Sequence, residues 1–491
     1  MDLVTALPTQ SSPPPTASGA APVIGAARPS VATAGRVVIV SNRVPSPNAK
    51  AATAGGLAVA LADAATSGSL WFGWSGRRAE ETSTKASIAL SDEGVTYATI
   101  DIAERDYQRF YNGFANGALW PLLHFRTGLL RFNRPDYAAY RAVNRAFAEA
   151  LLPLLQPGDL IWIHDYQLMT LAAELRALGL ENRIGFFLHI PFVPPSLLQV
   201  LPPAAELMSA LSACDVVGFQ TEGDAGAFLD NAATLLGVTP DASGHYVYAE
   251  RDVRVVVTPI GIDANKFAKL AERAERAPEA ERLRESLGDR ALVLGVDRLD
   301  YSKGLPQRFD AFGRLLYAYP QHRRCVNFLQ IAARSRQEVG SYQTLRRELD
   351  RRAGDINGEF SDFDWVPLRY MTHPVKRNAI AGFYRRANIG LVTPLRDGMN
   401  LVAKEYVAAQ DSANPGVLVL SKFAGAADEL TEALIVNPFD ADEVAAAMHQ
   451  GLVMSLEERS DRHARLLAKV RHTTAQRFCE QFLAYLRAPA S

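Results

Sequence analysis

Cysteines, long apolar runs and net charge are all scarce in this sequence. Three cysteines in 491 residues, far apart and without metal-ligand spacing, argue against a disulfide framework and are typical of structural thiols in a reducing compartment. No apolar run reaches the roughly 18 residues that a membrane-spanning helix needs. The 52 basic and 53 acidic side chains nearly cancel, so any anion site must be a local cluster. We therefore expect a cytoplasmic protein with no nucleic-acid or membrane partner.

The first 35 residues differ in composition from the rest of the chain. Ala, Pro, Ser and Thr dominate this stretch, and Asp2 and Arg28 are its only charged side chains. Such a composition predicts a disordered leader. Its prolines interrupt the apolar run that a secretory signal requires, so we do not expect a signal peptide.

Beyond the leader, short apolar runs alternate with helical patterns. Branched and unbroken apolar runs are typical of strands buried in a parallel sheet. Their alternation with helices predicts an α/β protein. The runs on which this prediction rests lie at 36–44, 159–165, 184–190, 216–220, 291–296, 327–333, 389–394, 416–420 and 433–437.

A charged helical stretch near residues 262 to 290 separates two series of strand and helix patterns. This separation predicts two Rossmann-like domains facing a cleft, an N-terminal one over 36–262 and a C-terminal one over 263–455. The charged stretch 456–491 is expected to form a C-terminal helix that packs across the domain junction.

One candidate site follows the apolar run 389–394. The pair at 397–398 predicts a turn, and Asn400 is a candidate N-cap for the helix that follows. The free N–H groups of residues 401 and 402 would then form a phosphate seat at the helix N-terminus. Glu405, further along the helix, would accept hydrogen bonds from a ribose diol. An ordinary strand–turn–helix unit with solvated acids fits the pattern alone equally well.

A second candidate site follows the strand predicted at 291–296. Arg298 and Lys303 lie five residues apart at the strand end, and two cations there suit a diphosphate. The alternative is a surface ion-pair loop with Asp297 and Asp300 as partners.

The N-terminal half contributes candidates at the ends of its predicted strands. Gly55 and Gly56 open a helix, where the absence of a side chain lets a ligand approach the backbone, and Arg43 ends the first strand. Taken alone, this pattern is more often a structural turn with a surface arginine. His164, Asp165 and His189 lie at the carboxyl ends of predicted strands, and ligands of parallel sheets bind beyond such ends.

No metal site is expected. The nearest match to an Asp-x-Asp metal motif is Asp440 and Asp442, which follow Asn437-Pro438. Acidic residues at this position are typical of a helix N-terminus, which they stabilise through the helix dipole.

Taken together and in chain order, these motifs resemble those of the trehalose-6-phosphate synthases, retaining glycosyltransferases of family 20 with the GT-B fold. The resemblance runs from about residue 36 to 487. It rests on Ser41-Asn-Arg43, Ala54-Gly-Gly-Leu-Ala-Val59, Leu70-Trp-Phe-Gly-Trp-Ser-Gly76, Tyr111-Asn-Gly-Phe-Ala-Asn116 with Trp120, His164-Asp-Tyr166, Gly185-Phe-Phe-Leu-His-Ile-Pro-Phe192, Arg298-Leu-Asp-Tyr-Ser-Lys-Gly-Leu-Pro306 and Arg396-Asp-Gly-Met-Asn-Leu-Val-Ala-Lys-Glu405.

The resemblance implies transfer of glucose from UDP-glucose to glucose 6-phosphate with retention, giving α,α-trehalose 6-phosphate and UDP, without cofactor or metal. It implies catalytic roles for Arg298, Lys303, His189 and Asp397. It implies donor contacts from Gly55, Gly56, Arg298, Lys303, Val375, Asp397, Gly398, Met399, Asn400, Leu401, Val402 and Glu405. It implies acceptor contacts from Arg43, Tyr111, Trp120, Asp165 and Arg336.

Several alternatives stay open at this point. The uracil contact would run through backbone, so GDP- or ADP-glucose is also compatible as donor. A relative with another phosphorylated acceptor is disfavoured by the five acceptor residues named above. A nucleotide-sugar epimerase would need no acceptor phosphate site, and an inactive regulatory relative would be expected to lack Arg298, Lys303 or Glu405. The sequence indicates neither the oligomeric state nor whether retention proceeds through a front-face or a double-displacement route.

Overall fold

The computed structural model describes residues 35–45, 61, 65–91, 94–334 and 340–489. Most of the predicted leader lies outside these ranges, as do Gly55, Gly56 and Arg336. No helix within the described ranges is long and apolar enough to cross a membrane.

The described strands form two sheets. The first contains β1 (Val37–Arg43), β2 (Leu70–Ala79), β3 (Ser87–Leu90), β4 (Thr96–Ala103), β5 (Leu160–His164), β6 (Ile184–Phe187), β7 (Val216–Phe219), β8 (His245–Tyr248) and β9 (Arg251–Val257). The second contains β10 (Ala291–Arg298), β11 (Val326–Ala333), β12 (Leu368–Met371), β13 (Ile389–Val392), β14 (Val417–Ser421) and β15 (Leu434–Val436).

The helices of the described part cover both sheets. They are α1 (Glu104–Tyr107), α2 (Trp120–Leu123), α3 (Arg134–Leu151), α4 (Leu171–Ala177), α5 (Pro195–Leu198), α6 (Ala204–Leu211), α7 (Glu222–Leu236), α8 (Ala264–Ala274), α9 (Pro278–Leu287), α10 (Leu305–Ala318), α11 (Gly340–Phe360), α12 (Arg377–Arg386), α13 (Leu401–Ala409), α14 (Ala426–Glu429), α15 (Ala441–Val453), α16 (Leu456–His472) and α17 (Ala475–Arg487). A π-helix (Gln108–Leu119) joins α1 to α2, and short 3₁₀ helices lie at Thr127–Leu129, Leu152–Leu154, Tyr166–Leu168, Tyr301–Lys303 and Pro320–His322.

Both sheets are mainly parallel, which confirms the predicted α/β class. The strand order is β3-β4-β2-β1-β5-β6-β7-β9-β8 in the first sheet and β12-β11-β10-β13-β14-β15 in the second. Among the strands of the described ranges, only the edge pairs β3–β4 and β8–β9 are antiparallel. Strands β5, β13 and β14 are buried along their whole length, as expected for parallel strands covered by helices on both faces.

Each sheet has a point where the strand order reverses. In the first sheet the chain continues from β1 to β2 on one side and returns to β5 on the other, and in the second it does the same around β10 with β11 and β13. A crevice forms beyond the carboxyl ends of the strands at such switch points, and ligands of open α/β sheets bind there. The residues that follow β1, β5, β10 and β13 are therefore the ones to inspect.

The C-terminal stretch predicted as one helix contains two, α16 and α17. Thr473 leaves the helical conformation, and Thr474 caps α17 by accepting a hydrogen bond from the Arg477 N–H at 3.0 Å. A threonine cap starts a new helix after such a break. The ring of Phe482 on α17 then stacks on Trp162 of β5 with centroids 4.8 Å apart.

Candidate functional site

The turn between β13 and α13 forms one side of the second switch point. Asn400 adopts a left-handed conformation with φ of 82° and caps α13, its side chain accepting a hydrogen bond from the Ala403 N–H at 3.3 Å. This confirms the predicted N-cap. The neighbouring segment braces the turn, since Asp397 pairs with Ala424 in a parallel bridge and the Met399 carbonyl accepts from the Ala426 N–H at 2.8 Å. The N-terminus of α13 is therefore held in a fixed direction.

The loop after β10 meets this turn. The Lys303 ammonium donates a hydrogen bond to Asp397 Oδ2, which also accepts from Asn400 Nδ2 at 2.9 Å. Lys303 ends the 3₁₀ helix Tyr301–Lys303, and Gly304 follows with φ of +66° so close that a Cβ would lie 2.5 Å from the Thr393 carbonyl oxygen. Only glycine fits there without moving the backbone. The close approach brings a cation from one loop to the helix N-terminus of the other.

A buried ion pair supports the loop that contains Arg298 and Lys303, which we call the cation loop. The guanidinium of Arg308, on α10, binds Asp297 Oδ2 at 2.7 Å, Gln330 Oε1 at 2.9 Å and Thr393 Oγ1 at 3.1 Å. It also donates to the Lys303 carbonyl at 3.3 Å. Burial raises the pKa of Asp297 while Arg308 opposes that rise. Arg308 thus ties the backbone of Lys303 to β10, to β11 and to the residue that follows β13.

Glu405 lies on α13 about one and a half turns from the cap. Its carboxylate accepts a hydrogen bond from Arg377 on α12 at 3.0 Å. Burial raises the pKa of Glu405, and Arg377 opposes the rise. Val375, in the connection before α12, is half-buried. This part of the second domain can offer a carboxylate to a polyol and backbone to a flat ring.

Two aromatic residues of the N-terminal half, Trp120 and Tyr111, form what we call the aromatic wall, and Trp120 contacts the cation loop. The guanidinium of Arg298 lies 5.7 Å from the centroid of the Trp120 ring, and Trp120 Nε1 donates to Asp300 Oδ1 at 3.3 Å. Tyr111 lies on the π-helix and stacks on Tyr107 with ring centroids 5.2 Å apart. Trp120 therefore contacts both halves of the protein at the mouth of the second switch point.

The residues that follow β1 and β5 lie at the first switch point. The Arg43 guanidinium is 5.9 Å from the ring centroid of Trp74 and packs along Gly76, and the Arg43 side chain is otherwise exposed. Asp165 has φ of 74°, which non-glycine residues rarely adopt, and its Oδ1 lies 3.4 Å from the His189 N–H that donates to it. Strained backbone of this kind is concentrated at functional sites.

His189 sits where the two halves touch. Its Nε2 is 3.1 Å from His164 Nδ1, and its Nδ1 is 3.4 Å from the Gln220 amide nitrogen. Burial lowers the pKa of His189 to about 3, so the ring is uncharged at neutral pH. Across the cleft, a Cβ on Gly398 would lie 2.2 Å from the His189 carbonyl oxygen. The turn after β13 therefore packs directly on the backbone that follows β6.

Comparison with known proteins agrees with this geometry. A family model described as glycosyltransferase family 20 matches residues 35–488. The trehalose-6-phosphate synthase of Salmonella arizonae is 46% identical over 449 residues, which make up 91% of this chain and 94% of that protein. The chain belongs to glycosyltransferase family 20.

Solved structures of similar chains carry this family's fold. A crystal structure of a UDP-forming α,α-trehalose-phosphate synthase from Burkholderia xenovorans in complex with glucose-6-phosphate has a TM-score of 0.88 at 44% identity, over 92% of this chain and 100% of that one. A structure described as trehalose-6-phosphate from E. coli bound with UDP-2-fluoro glucose has a TM-score of 0.88 at 45% identity, over 93% and 100%. The expected family 20 resemblance and GT-B fold are thereby confirmed.

In this family 20 chain, the alternative that residues 297–303 form a surface loop of ion pairs is wrong. Asp297 is buried against Arg308, and Asp300 is buried and bonded to Trp120. The reason is that β10 lies in the middle of its sheet, so the loop that follows it enters the cleft rather than the surface.

The candidate metal motif is a helix cap, as predicted. Asp440 accepts hydrogen bonds from the Asp442 and Glu443 N–H groups at 3.0 Å each, and Asp442 pairs with Arg314. Among the described residues, no group of three or more His, Cys, Asp and Glu side chains is placed to hold a metal ion.

Two buried residues that contact Trp120 were not predicted as candidates. His124 is buried, its Nδ1 lies 2.8 Å from the Trp120 carbonyl and its ring centroid lies 4.1 Å from that of Trp120. Burial lowers the pKa of His124 to about 4, while Asp300 raises it. The position of His124, four residues after Trp120, is the sequence signal that indicates this contact. Asp300 was seen only as an ion-pair partner, because its contacts come from distant parts of the chain.

Proposed function

We propose that this family 20 glycosyltransferase transfers glucose from UDP-glucose to glucose 6-phosphate with retention, giving α,α-trehalose 6-phosphate and UDP. The observation that carries the proposal is the meeting of the cation loop and the helix N-terminus at one switch point, beside the aromatic wall. Relatives that cover nearly the whole chain are named trehalose-6-phosphate synthases. Solved relatives at 44% and 45% identity contain glucose 6-phosphate and a UDP-glucose analogue.

The donor would lie along the second sheet. Arg298 and Lys303 would bind the diphosphate, and the free N–H groups of Leu401 and Val402 at the start of α13 would bind the same group. A cation about 4 Å from a phosphate oxygen contributes about 4 kcal/mol at an effective dielectric of 20. The positive charge would therefore stabilise UDP as it leaves. Glu405 would accept hydrogen bonds from the ribose diol.

The donor glucose and the uracil would be held by backbone and short side chains. We assign the glucose to Asp397, Gly398 and Met399 from one side and His189 from the other. His189 would act as an uncharged hydrogen-bonding group, because burial lowers the pKa of its imidazole far below neutrality. The uracil would lie beside the backbone of Val375.

The acceptor would occupy the N-terminal side of the cleft. Trp120 and Tyr111 would pack against the sugar ring, Asp165 would accept hydrogen bonds from its hydroxyl groups, and Arg43 would bind its phosphate. The expected contributions of Gly55, Gly56 and Arg336 lie outside the described residues and stay predictions.

The reaction breaks the bond between C1 of glucose and the phosphate oxygen of UDP, and the electron pair stays on that oxygen. A new C1–O bond forms to the acceptor hydroxyl on the same face. The hydroxyl proton passes to the departing phosphate oxygen, which acts as the base. Asp397 is engaged by Lys303 and Asn400, which favours a role in orienting these groups over a role as nucleophile. The front-face route therefore fits this site better than double displacement.

UDP release with UDP-glucose and glucose 6-phosphate tests the proposal. We expect release that requires the acceptor, survives EDTA, and falls at least about 100-fold in Lys303→Gln, because the leaving group loses a positioned cation. Lys266→Gln, at an exposed position on α8, is the matched control and should keep wild-type activity.

Three outcomes would contradict the proposal or part of it. Release that ignores the acceptor would exclude the acceptor assignment. Activity only with GDP- or ADP-glucose would exclude UDP-glucose as donor, and loss of activity in EDTA would show that a metal takes part. A cytoplasmic location stays a prediction, which a fractionation experiment would test.

A further inference from the structure

Asp300 is a fully buried carboxylate at the meeting point of three segments. It accepts hydrogen bonds from the Ser302 N–H at 3.1 Å, from Trp120 Nε1 at 3.3 Å and from the Tyr342 hydroxyl at 3.2 Å. A buried ionised carboxylate is costly unless hydrogen bonds satisfy it, so the three donors and the carboxylate stabilise one another. Displacing any one segment removes a hydrogen-bond donor and leaves the buried carboxylate less well satisfied.

The three segments have different tasks in the proposed reaction. Ser302 belongs to the 3₁₀ helix that ends at Lys303, so the bond to its N–H shapes the loop that would hold the diphosphate. Trp120 belongs to the N-terminal half and to the wall proposed for the acceptor sugar. Tyr342 lies in the first turn of α11 and packs on Tyr301 with ring centroids 5.3 Å apart.

A second contact between the halves lies close by. The guanidinium of Arg396, just before the turn at Asp397, lies 4.2 Å from the ring centroid of Phe125. Phe125 follows directly after His124, whose ring packs on Trp120. The stretch from Trp120 to Phe125 is therefore held against both loops of the second switch point. Within this arrangement, Asp300 is fully buried and accepts a hydrogen bond from the Trp120 side chain.

We propose that Asp300 is a positioning residue that couples the acceptor wall to the leaving-group loop. This inference rests on the proposed function. When the diphosphate fixes the loop of Arg298 and Lys303, Asp300 fixes the Trp120 indole through its N–H. The acceptor then binds to a wall that is already ordered and loses less conformational freedom. Because binding free energies are linked, the acceptor must strengthen UDP binding by the same factor.

Calorimetric titrations measure this coupling as a ratio of dissociation constants. In the wild type, we expect saturating UDP to tighten the binding of glucose 6-phosphate about tenfold, which lies within the range of roughly 5- to 150-fold that is typical of coupling between two sites. The reverse titration, of UDP in the presence of glucose 6-phosphate, should give the same factor. In Asp300→Ala both factors should fall close to one.

Trp120→Phe separates coupling from folding. Phenylalanine retains an aromatic ring and leaves the bonds of Asp300 to Ser302 and Tyr342 in place, but it removes the indole donor. The coupling is a ratio of dissociation constants, so a change in the binding of either ligand alone cancels, and we expect the ratio in this variant to fall close to one. The matched control is Asp159→Ala, which removes another buried carboxylate. Asp159 binds Arg36 at 2.6 Å and lies at the end of β5 opposite to Asp165. It should keep the wild-type factor.

The outcomes distinguish this inference from the proposed function. A wild type that shows no coupling, or an Asp300→Ala protein that keeps it, would overturn the role of Asp300 while acceptor-dependent UDP release stands. If Asp300→Ala does not fold, Trp120→Phe decides, and unchanged coupling there overturns the inference. A wild type that binds neither UDP nor glucose 6-phosphate would instead refute the proposed function.

Discussion

Replacing Gly398 by alanine should separate the two halves of the site by a small, definable distance. Gly398 has no left-handed φ, so only the added methyl group matters. Its Cβ would lie 2.2 Å from the His189 carbonyl oxygen and 2.9 Å from the Cα of Ile190. Both neighbours are backbone atoms that cannot rotate away. Since carbon and oxygen need about 3.3 Å or more, the turn has to withdraw by about 1 Å.

A displacement of about 1 Å near reacting groups costs roughly 100-fold in rate. We therefore expect kcat/KM for both substrates to fall about 100-fold in Gly398→Ala, which corresponds to about 2.7 kcal/mol of transition-state stabilisation. The assay is UDP release at varied donor and acceptor concentrations, accompanied by a urea unfolding curve. The protein should stay folded, because the clash lies between the halves and not within either core.

The matched control is Gly354→Ala, in the middle of α11, where a Cβ would meet no atom within 4 Å. Alanine at an open helical position should stabilise the protein by up to about 1 kcal/mol and leave the kinetics unchanged. If Gly398→Ala keeps wild-type kcat/KM, the halves do not need to pack as closely as the structure has them. Equal losses in both variants would show that the assay reports stability and not site geometry.

Two further predictions concern buried charged and titratable groups. Arg308→Met should destabilise the fold by about 3 to 5 kcal/mol, because it leaves Asp297 buried without its cation; the urea midpoint measures this, and the double variant with Asp297→Asn should recover part of the loss. Burial lowers the pKa of His124 to about 4 from 6.5, so between these pH values the unfolded chain binds a proton that the folded chain excludes, and stability falls as the pH falls. Between pH 7 and pH 5.5, the free energy of unfolding of His124→Gln should therefore fall by about 1 kcal/mol less than that of the wild type. If the free energies of unfolding of the two proteins change with pH in parallel, the lowered pKa of His124 is contradicted.

The cap of α13 shows what could be read from the chain before its structure. An apolar run, a turn and an asparagine before a helical pattern are local signals, and the structure has the predicted cap at Asn400. The same reasoning predicted the helix start at Asp440 correctly. It failed at Thr473 and Thr474, where one expected helix became two, because two threonines are a weak break signal inside a charged helical pattern.

Asp300 shows why the remainder could not be predicted. Its bond to Trp120 spans 180 residues of sequence, and no spacing rule connects positions so far apart. Its bond to Tyr342 depends on where α11 packs. A buried carboxylate with distant partners has the same local sequence as a solvated one, so the surface ion-pair reading was equally compatible with the pattern.

The sequence alone determined the α/β class, the helix starts at Asn400 and Asp440, and the membership of family 20, because periodicity, caps and motifs are local properties of the chain. Only the tertiary structure decided which charges meet. Lys303 binds Asp397, and Arg308 reaches Thr393, because β13 lies beside β10 and not beside β12, its nearest preceding strand in the chain. Strand order is set by packing over the whole sheet, and at each switch point it brings together loops that the sequence keeps apart.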